Sequence, residues 1–318
     1  MLRALCLASA AAAASAALGP LTDVHLHITN MSLFTYPWMT QIMKCPCAPP
    51  CACDWSLAEY AAATAAAPAS SLVFVEVAAA PQFWLAEAQW VQSLIDGGGA
   101  GAAIGAIIAQ RPPGFGVPGA DAAAVARDLG ALAALRSARG VRAGALDWAN
   151  NSAVAAVLPH FALLRRSGLG TADVITSVTA AAAAGIAALA RALPDLALVL
   201  DHHGSPPVLG NASAIADWQA GMAALGALPN VYVKWGGLAQ YYKSTGAVPT
   251  LAQVAPFANF VLDSFPGRAV FERNWFFWCV LVLRAEGGAC RTGLEGSHLT
   301  HTHTARPHPA LRACAATS

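Results

Sequence analysis

The sequence predicts a (β/α)8 barrel of the TIM type, and three observations carry the prediction. Eight short apolar segments alternate with stretches of helical periodicity over about 250 residues, the pattern of a parallel sheet joined by crossover helices. The strand segments are mostly continuous apolar runs rather than alternating ones, as a sheet buried on both faces requires. A doubly wound open sheet is the competing architecture, and it usually carries a glycine-rich phosphate turn after its first strand. This chain carries His25-Leu26-His27 there instead.

The elements follow in order. The first strand runs from about 22 to 28 and is followed by a long loop with Tyr36, Pro37 and Trp38. A helix begins near Ser56, where Glu59 stands in the capping-box position. Leu72 to Val77 is the β-branched and aromatic second strand, and Gln82 to Asp96 is a helix stopped by three glycines. Ala102 to Ala109 is the third strand. Ala120 to Arg139 reads as a helix ended by Gly140, with the fourth strand following over Val141 to Leu146. Ala153 to Arg166 is helical, Asp173 to Thr176 is a weak fifth strand, and Thr179 to Leu193 is a helix stopped by Pro194. Leu196 to Leu200 is the sixth strand and runs into Asp201-His202-His203. A helix over Ser213 to Leu225, a strand over Val231 to Trp235, a helix over Leu251 to Ser264 and the start of an eighth strand at Ala269 to Phe271 complete the set. The last β/α unit reads as incomplete.

Composition narrows the function. Of 318 residues 57% are apolar and only 11% charged, against a usual value of about 25% charged. The net charge is +1 with no basic stripe, which argues against nucleic acid as a partner. Mean hydropathy is high at +0.51, yet the longest apolar stretch, Thr179 to Leu200, is broken by Arg191, Pro194 and Asp195. No membrane span is expected. Residues 1–17 join a positive start, an alanine-rich apolar run and a small-residue cleavage site. That is the form of a signal peptide and leads to the expectation of secretion, with an organellar or cytoplasmic location as alternatives. Cys45, Cys47, Cys51 and Cys53 form a cluster in a proline-rich loop, expected to be disulfide-bonded in an oxidising compartment or zinc-binding in a reducing one.

Against that low charge, the polar residues at the carboxyl ends of the strands stand out, because barrel enzymes build their sites there. His25 and His27 project from one face of the first strand, roughly 6–7 Å apart, and two imidazoles so placed can hold a divalent metal or polarise a carbonyl. Glu76, Glu87, Arg142, Asp201, His202, Lys234, Glu272 and Asn274 fall at the same rim. Hydrolysis at a carbonyl needs ligands for an activated water, an acceptor for its proton and cations for developing negative charge.

Several segments resemble one known family, the amidohydrolase-related proteins of the lactonase type, which act on sugar-acid lactones and a pyrone-dicarboxylate lactone. They are Asp23-Val-His-Leu-His27, Tyr36-Pro-Trp38, Phe74-Val-Glu-Val77, Gly140-Val-Arg142, Leu198-Val-Leu-Asp-His-His-Gly-Ser-Pro206, Pro229 through Leu238, and Arg268-Ala-Val-Phe271. The resemblance covers residues 21–275 and implies a barrel domain over 21–278 with a divergent tail over 279–318. It further implies that His25, His27 and His202 form the metal or carbonyl-polarising cluster, zinc first, with a metal-free mechanism left open. Arg142, Glu87 and Lys234 would bind a small-molecule substrate, and His202, Asp201, Glu272 and Asn274 would be catalytic. Where the family has an aspartate at the end of the eighth strand, this chain has Asn274, whose neutral amide cannot accept a proton. Glu272, two residues earlier, or Asp201 would take over that part. The tail carries His298, His301, His303 and His308 in place of a closing helix, so association into an oligomer is an open expectation. The expected activity is lactone opening, with a metal-dependent decarboxylase or a degenerate non-catalytic barrel as alternatives.

Overall fold

Eight parallel strands hydrogen-bond in sequence order, β1 through β8, in a computed structural model that describes residues 20–42, 54–144, 146–237 and 250–275. The strands are β1 Thr22–Leu26, β2 Ser71–Val75, β3 Ile104–Gln110, β4 Ala138–Ala143, β5 Thr171–Val174, β6 Ala197–Leu200, β7 Val231–Gly236 and β8 Ala269–Glu272. Residues 1–17, the four clustered cysteines Cys45, Cys47, Cys51 and Cys53, and the tail over 279–318 with its histidines lie outside the described residues.

The helices are α1 Pro37–Ile42, α2 Leu57–Ala63, α3 Trp84–Asp96, α4 Ala122–Ala133, α5 Asn151–Arg166, α6 Ala180–Ala192, α7 Ala212–Gly226 and α8 Leu251–Ser264. Short polar side chains start them by satisfying the orphan N–H groups of the first turn. Asn150, Thr179 and Asn211 each accept from a backbone N–H two or three residues on. Ser56 and Thr250 form reciprocal capping boxes with Glu59 and Gln253. Leu129, Phe161, Ile186, Leu189 and Trp218 from the helices are buried with Ile107, Val141, Ala172, Leu198 and Val231 from the strands. Each such side chain contributes about 1.5–3 kcal/mol of burial. No helix among the described residues is long and apolar enough to cross a membrane.

Two boundaries differ from the sequence reading. The helix expected to reach Arg139 ends at Ala133, and Gly140 lies inside β4 rather than closing a helix. A Cβ at 140 would stand 2.0 Å from the Thr171 carbonyl oxygen, so this glycine lets the backbones of β4 and β5 approach. The fifth strand starts at Thr171, two residues before the expected position, which puts Asp173 opposite Arg142 in the parallel register.

The seam between β8 and β1 is unlike the others. It has one isolated bridge, Leu26 to Trp275, with the His27 N–H donating to the Trp275 carbonyl at 3.3 Å. The Asp23 carboxylate does the rest. Its Oδ1 accepts the backbone N–H of His25 and of Arg273, both at 3.1 Å, and its Oδ2 accepts the Tyr60 hydroxyl at 2.9 Å.

Candidate functional site

Among the described residues, every non-glycine with positive φ lies at the carboxyl rim: Ala78 after β2, His202, His203 and Ser205 after β6, and Asn274 after β8. Left-handed backbone costs such residues on the order of 1–3 kcal/mol each, and such strain clusters where side chains must be aimed. Here it aims Glu76, His202 and Asn274 at one end of the barrel.

The histidines form a hydrogen-bond chain whose proton positions follow one from another. His27 Nδ1 lies 2.9 Å from the Val75 carbonyl, which only accepts, so Nδ1 carries the proton and Nε2 is left as an acceptor. His25 Nε2 stands 3.0 Å from that atom and must be the donor, which leaves His25 Nδ1 to accept from Lys234 Nζ at 3.1 Å. Burial lowers the pKa of both rings, with Lys234 and Arg142 adding to the effect; His27 falls to about 3, and His25 goes well below its ordinary value. Both are neutral at physiological pH. His202 lies beside them, its ring centroid 4.8 Å from that of His25. Its Nδ1 donates to Glu272 Oε1 at 2.7 Å, so its Nε2 keeps a lone pair, with Arg142 Nη2 3.4 Å away.

Around the rings sit two cations and four carboxylates. Lys234 is 2% exposed; it donates to Asp173 Oδ2 and lies 2.9 Å from Asp201 Oδ1. Arg142 donates from Nε to Asp201 Oδ2 at 2.7 Å and has Glu76 Oε1 3.5 Å from Nη1. Burial alone would neutralise these groups, and mutual attraction decides each case. Burial raises Asp173 despite the opposing pull of Lys234. For Asp201 the same burial is outweighed by Lys234 and Arg142, which hold it below the usual carboxylate range. Burial likewise works against the Lys234 ammonium, but Asp173, Asp201 and Glu272 raise it above its ordinary value.

The remaining expected residues fall into place unevenly. Glu87, on α3, is fully buried; its Oε2 accepts the Val77 N–H at 3.4 Å, and its carboxyl interacts with the Tyr36 hydroxyl. Burial, then the neighbouring Glu76, pushes Glu87 up to about 8. Asn274 is buried, and its side-chain amide has no hydrogen-bond partner among the described residues. His203 donates through Nδ1 to the Gly236 carbonyl at 2.8 Å and ties the β6 loop to β7. Asp173 was missed at the sequence level. Its signal was the Lys234 expected on β7, which cannot be buried without an anion. Arg273 and Tyr60, which brace Asp23, had no sequence signal.

A divalent ion fits this arrangement. His25 and His27 present Nε2 atoms 3.0 Å apart, close to the roughly 3.3 Å between two nitrogens bound to one tetrahedral zinc. His25, His202 and Glu272 can each bring a donor atom within 4.8 Å of the others. Asp201 Oδ1 and Glu272 Oε2 are buried without a hydrogen bond. Lys234 Nζ beside His25 Nδ1 leaves the Nε2 side as the one open to a second cation.

Comparison with known proteins agrees with the geometry. A family model described as amidohydrolase matches residues 22–280. An L-fucono-1,5-lactonase of Burkholderia ambifaria is 35% identical over 89 residues, a match spanning 28% of this chain and 29% of that relative's length. An amidohydrolase of Burkholderia multivorans, solved with bound zinc, superposes with a TM-score of 0.60 at 21% identity over 85% of this chain and 92% of its own. A second crystal form of an amidohydrolase from that organism, with bound HEPES, gives 0.61 at 20% identity over 83% and 86%. An amidohydrolase from Bifidobacterium longum subsp. infantis gives 0.55 at 19% over 81% and 85%. At these identities the solved structures establish the fold alone.

Proposed function

The chain belongs to the amidohydrolase family and is a hydrolase, and from that premise we propose that it opens a lactone or similar cyclic ester of a small molecule. One observation carries the reading: the neutral pair His25 and His27, Nε2 to Nε2, with His202 and Arg142 beside it at the barrel rim. The partial match to an L-fucono-1,5-lactonase supports a sugar-acid lactone as the first substrate to try.

Water adds to the ester carbon, the ring C–O bond breaks, and the products are a carboxylate and an alcohol. His202 receives the water's proton at Nε2 and returns it to the leaving ring oxygen. Arg142, held by Asp201, donates hydrogen bonds to the oxygen on which charge develops. Asn274 contributes a neutral amide that orients water or substrate without taking a proton. His25 and His27 would hold a divalent ion, zinc first, through Nε2; such an ion supplies Lewis-acid polarisation and a more acidic water. Lys234 is committed to Asp173, Asp201 and His25, so the reading gives it the task of holding those groups rather than touching substrate. Glu87 likewise lines the Tyr36 side of the rim as a carboxyl donor.

The test is hydrolysis of a panel of sugar-acid lactones by the full chain, followed by proton release, before and after chelation. Opening of at least one lactone, lost in His25→Ala/His27→Ala, is expected. No hydrolysis by the wild type, or full activity in the double variant, sinks the reading.

A further inference from the structure

We infer that His25 is a tautomeric switch: loading a divalent ion moves its proton from Nε2 to Nδ1, where Glu272 is already placed to accept it. The inference rests on the reading above only in that the site takes an ion. Without the ion, the chain Lys234 to His25 to His27 to the Val75 carbonyl requires a proton on His25 Nε2. An ion can bind that nitrogen only through its lone pair, so the Nε2 proton leaves to solvent. A neutral ring must then carry a proton on Nδ1, which can no longer accept from Lys234.

Two buried oxygens without hydrogen bonds stand where this rearrangement needs them. Glu272 Oε2 is 2.8 Å from His25 Nδ1, ready to accept the new N–H. Asp201 Oδ1 is 2.9 Å from Lys234 Nζ, ready to accept the lysine N–H that His25 gives up. One rearrangement therefore satisfies both orphans, and the ring stays neutral throughout. Glu272 is kept in place by its other oxygen, which accepts from His202 at 2.7 Å. Gly237 leaves room for this contact, since a Cβ there would lie 2.4 Å from His202 Nδ1 and 2.6 Å from Glu272 Oε1. Glu272 is thus a positioning residue, acting through His25 and His202.

The experiment is 15N NMR of the histidine rings in the full chain, after chelation and after addition of zinc, with zinc affinity measured by chelator competition. Expected are His25 protonated at Nε2 without zinc and at Nδ1 with it, and a Glu272→Gln variant binding zinc roughly 10–100-fold more weakly. A proton on His25 Nδ1 already present in the chelated protein, zinc bound through Nδ1, or unchanged affinity in Glu272→Gln overturns the switch. A protein that binds no zinc fails the metal reading instead, while lactone opening is scored separately. Should Glu272→Gln not fold, the two wild-type spectra decide.

Discussion

Replacing Glu87 by glutamine isolates the electrostatic cost of one buried carboxyl. Glu87 is 1% exposed, and its pKa rises from an ordinary 4.5 to about 8 through burial and the nearby Glu76. The folded state holds this proton more tightly than the unfolded chain does. Its stabilising contribution is therefore complete below pH 4.5 and is lost as pH rises through 8. The linkage relation converts that separation into a loss of about 4 kcal/mol between pH 4.5 and 8. Glutamine has nearly the same shape, keeps an oxygen for the Val77 N–H, and does not titrate. Urea denaturation of both proteins at pH 5, 7 and 8.5 gives the difference directly, because groups common to the two largely cancel. The variant is expected to gain on the wild type steadily with pH. A difference that stays constant within about 1 kcal/mol, or that narrows with pH, would refute the assignment of a buried, high-pKa carboxyl.

Two further substitutions probe the charged ring. Lys234→Met leaves Asp173 and Asp201 buried without their shared cation, at an expected cost of about 3–5 kcal/mol near neutral pH. Because Asp173 can protonate, the loss seen by urea denaturation is smaller at pH 5 than at pH 8, and Asp173→Asn in the same chain restores part of it. Asn274→Asp puts a carboxylate where an unpartnered amide now stands. Zinc retention, measured by chelator competition, is expected to rise by roughly tenfold or more; an unchanged affinity would place residue 274 away from the ion.

The barrel was legible because its signals are local. Apolar runs such as Leu196 to Leu200 and caps such as Ser56 with Glu59 depend on neighbours in sequence. The misreadings arose where a residue answers to a distant backbone. Gly140 looks like a helix stop and is instead the space that Thr171 occupies. Asp173 sat in a strand displaced by two residues, so its partnership with Lys234 was hidden. Of the site, His25, His27 and His202 could be named from their place at strand ends. The proton positions on those rings could not, because they follow from contacts with Val75, Lys234 and Glu272 that no spacing announces.

The lightly sewn edge between β8 and β1 has a consequence for how this protein comes into being. Asp23 and the Arg273 backbone that it grips are 250 residues apart in sequence. Contacts so distant are slow to form, since a long loop must close before they reward the chain. His25 and His27 ride on one lip of that edge, Glu272 and Asn274 on the other. A nascent or truncated chain lacking β8 can pack most of its strands and still possess no site. Appearance of activity during refolding is thus a clock for the final zippering of the cylinder, not for its collapse.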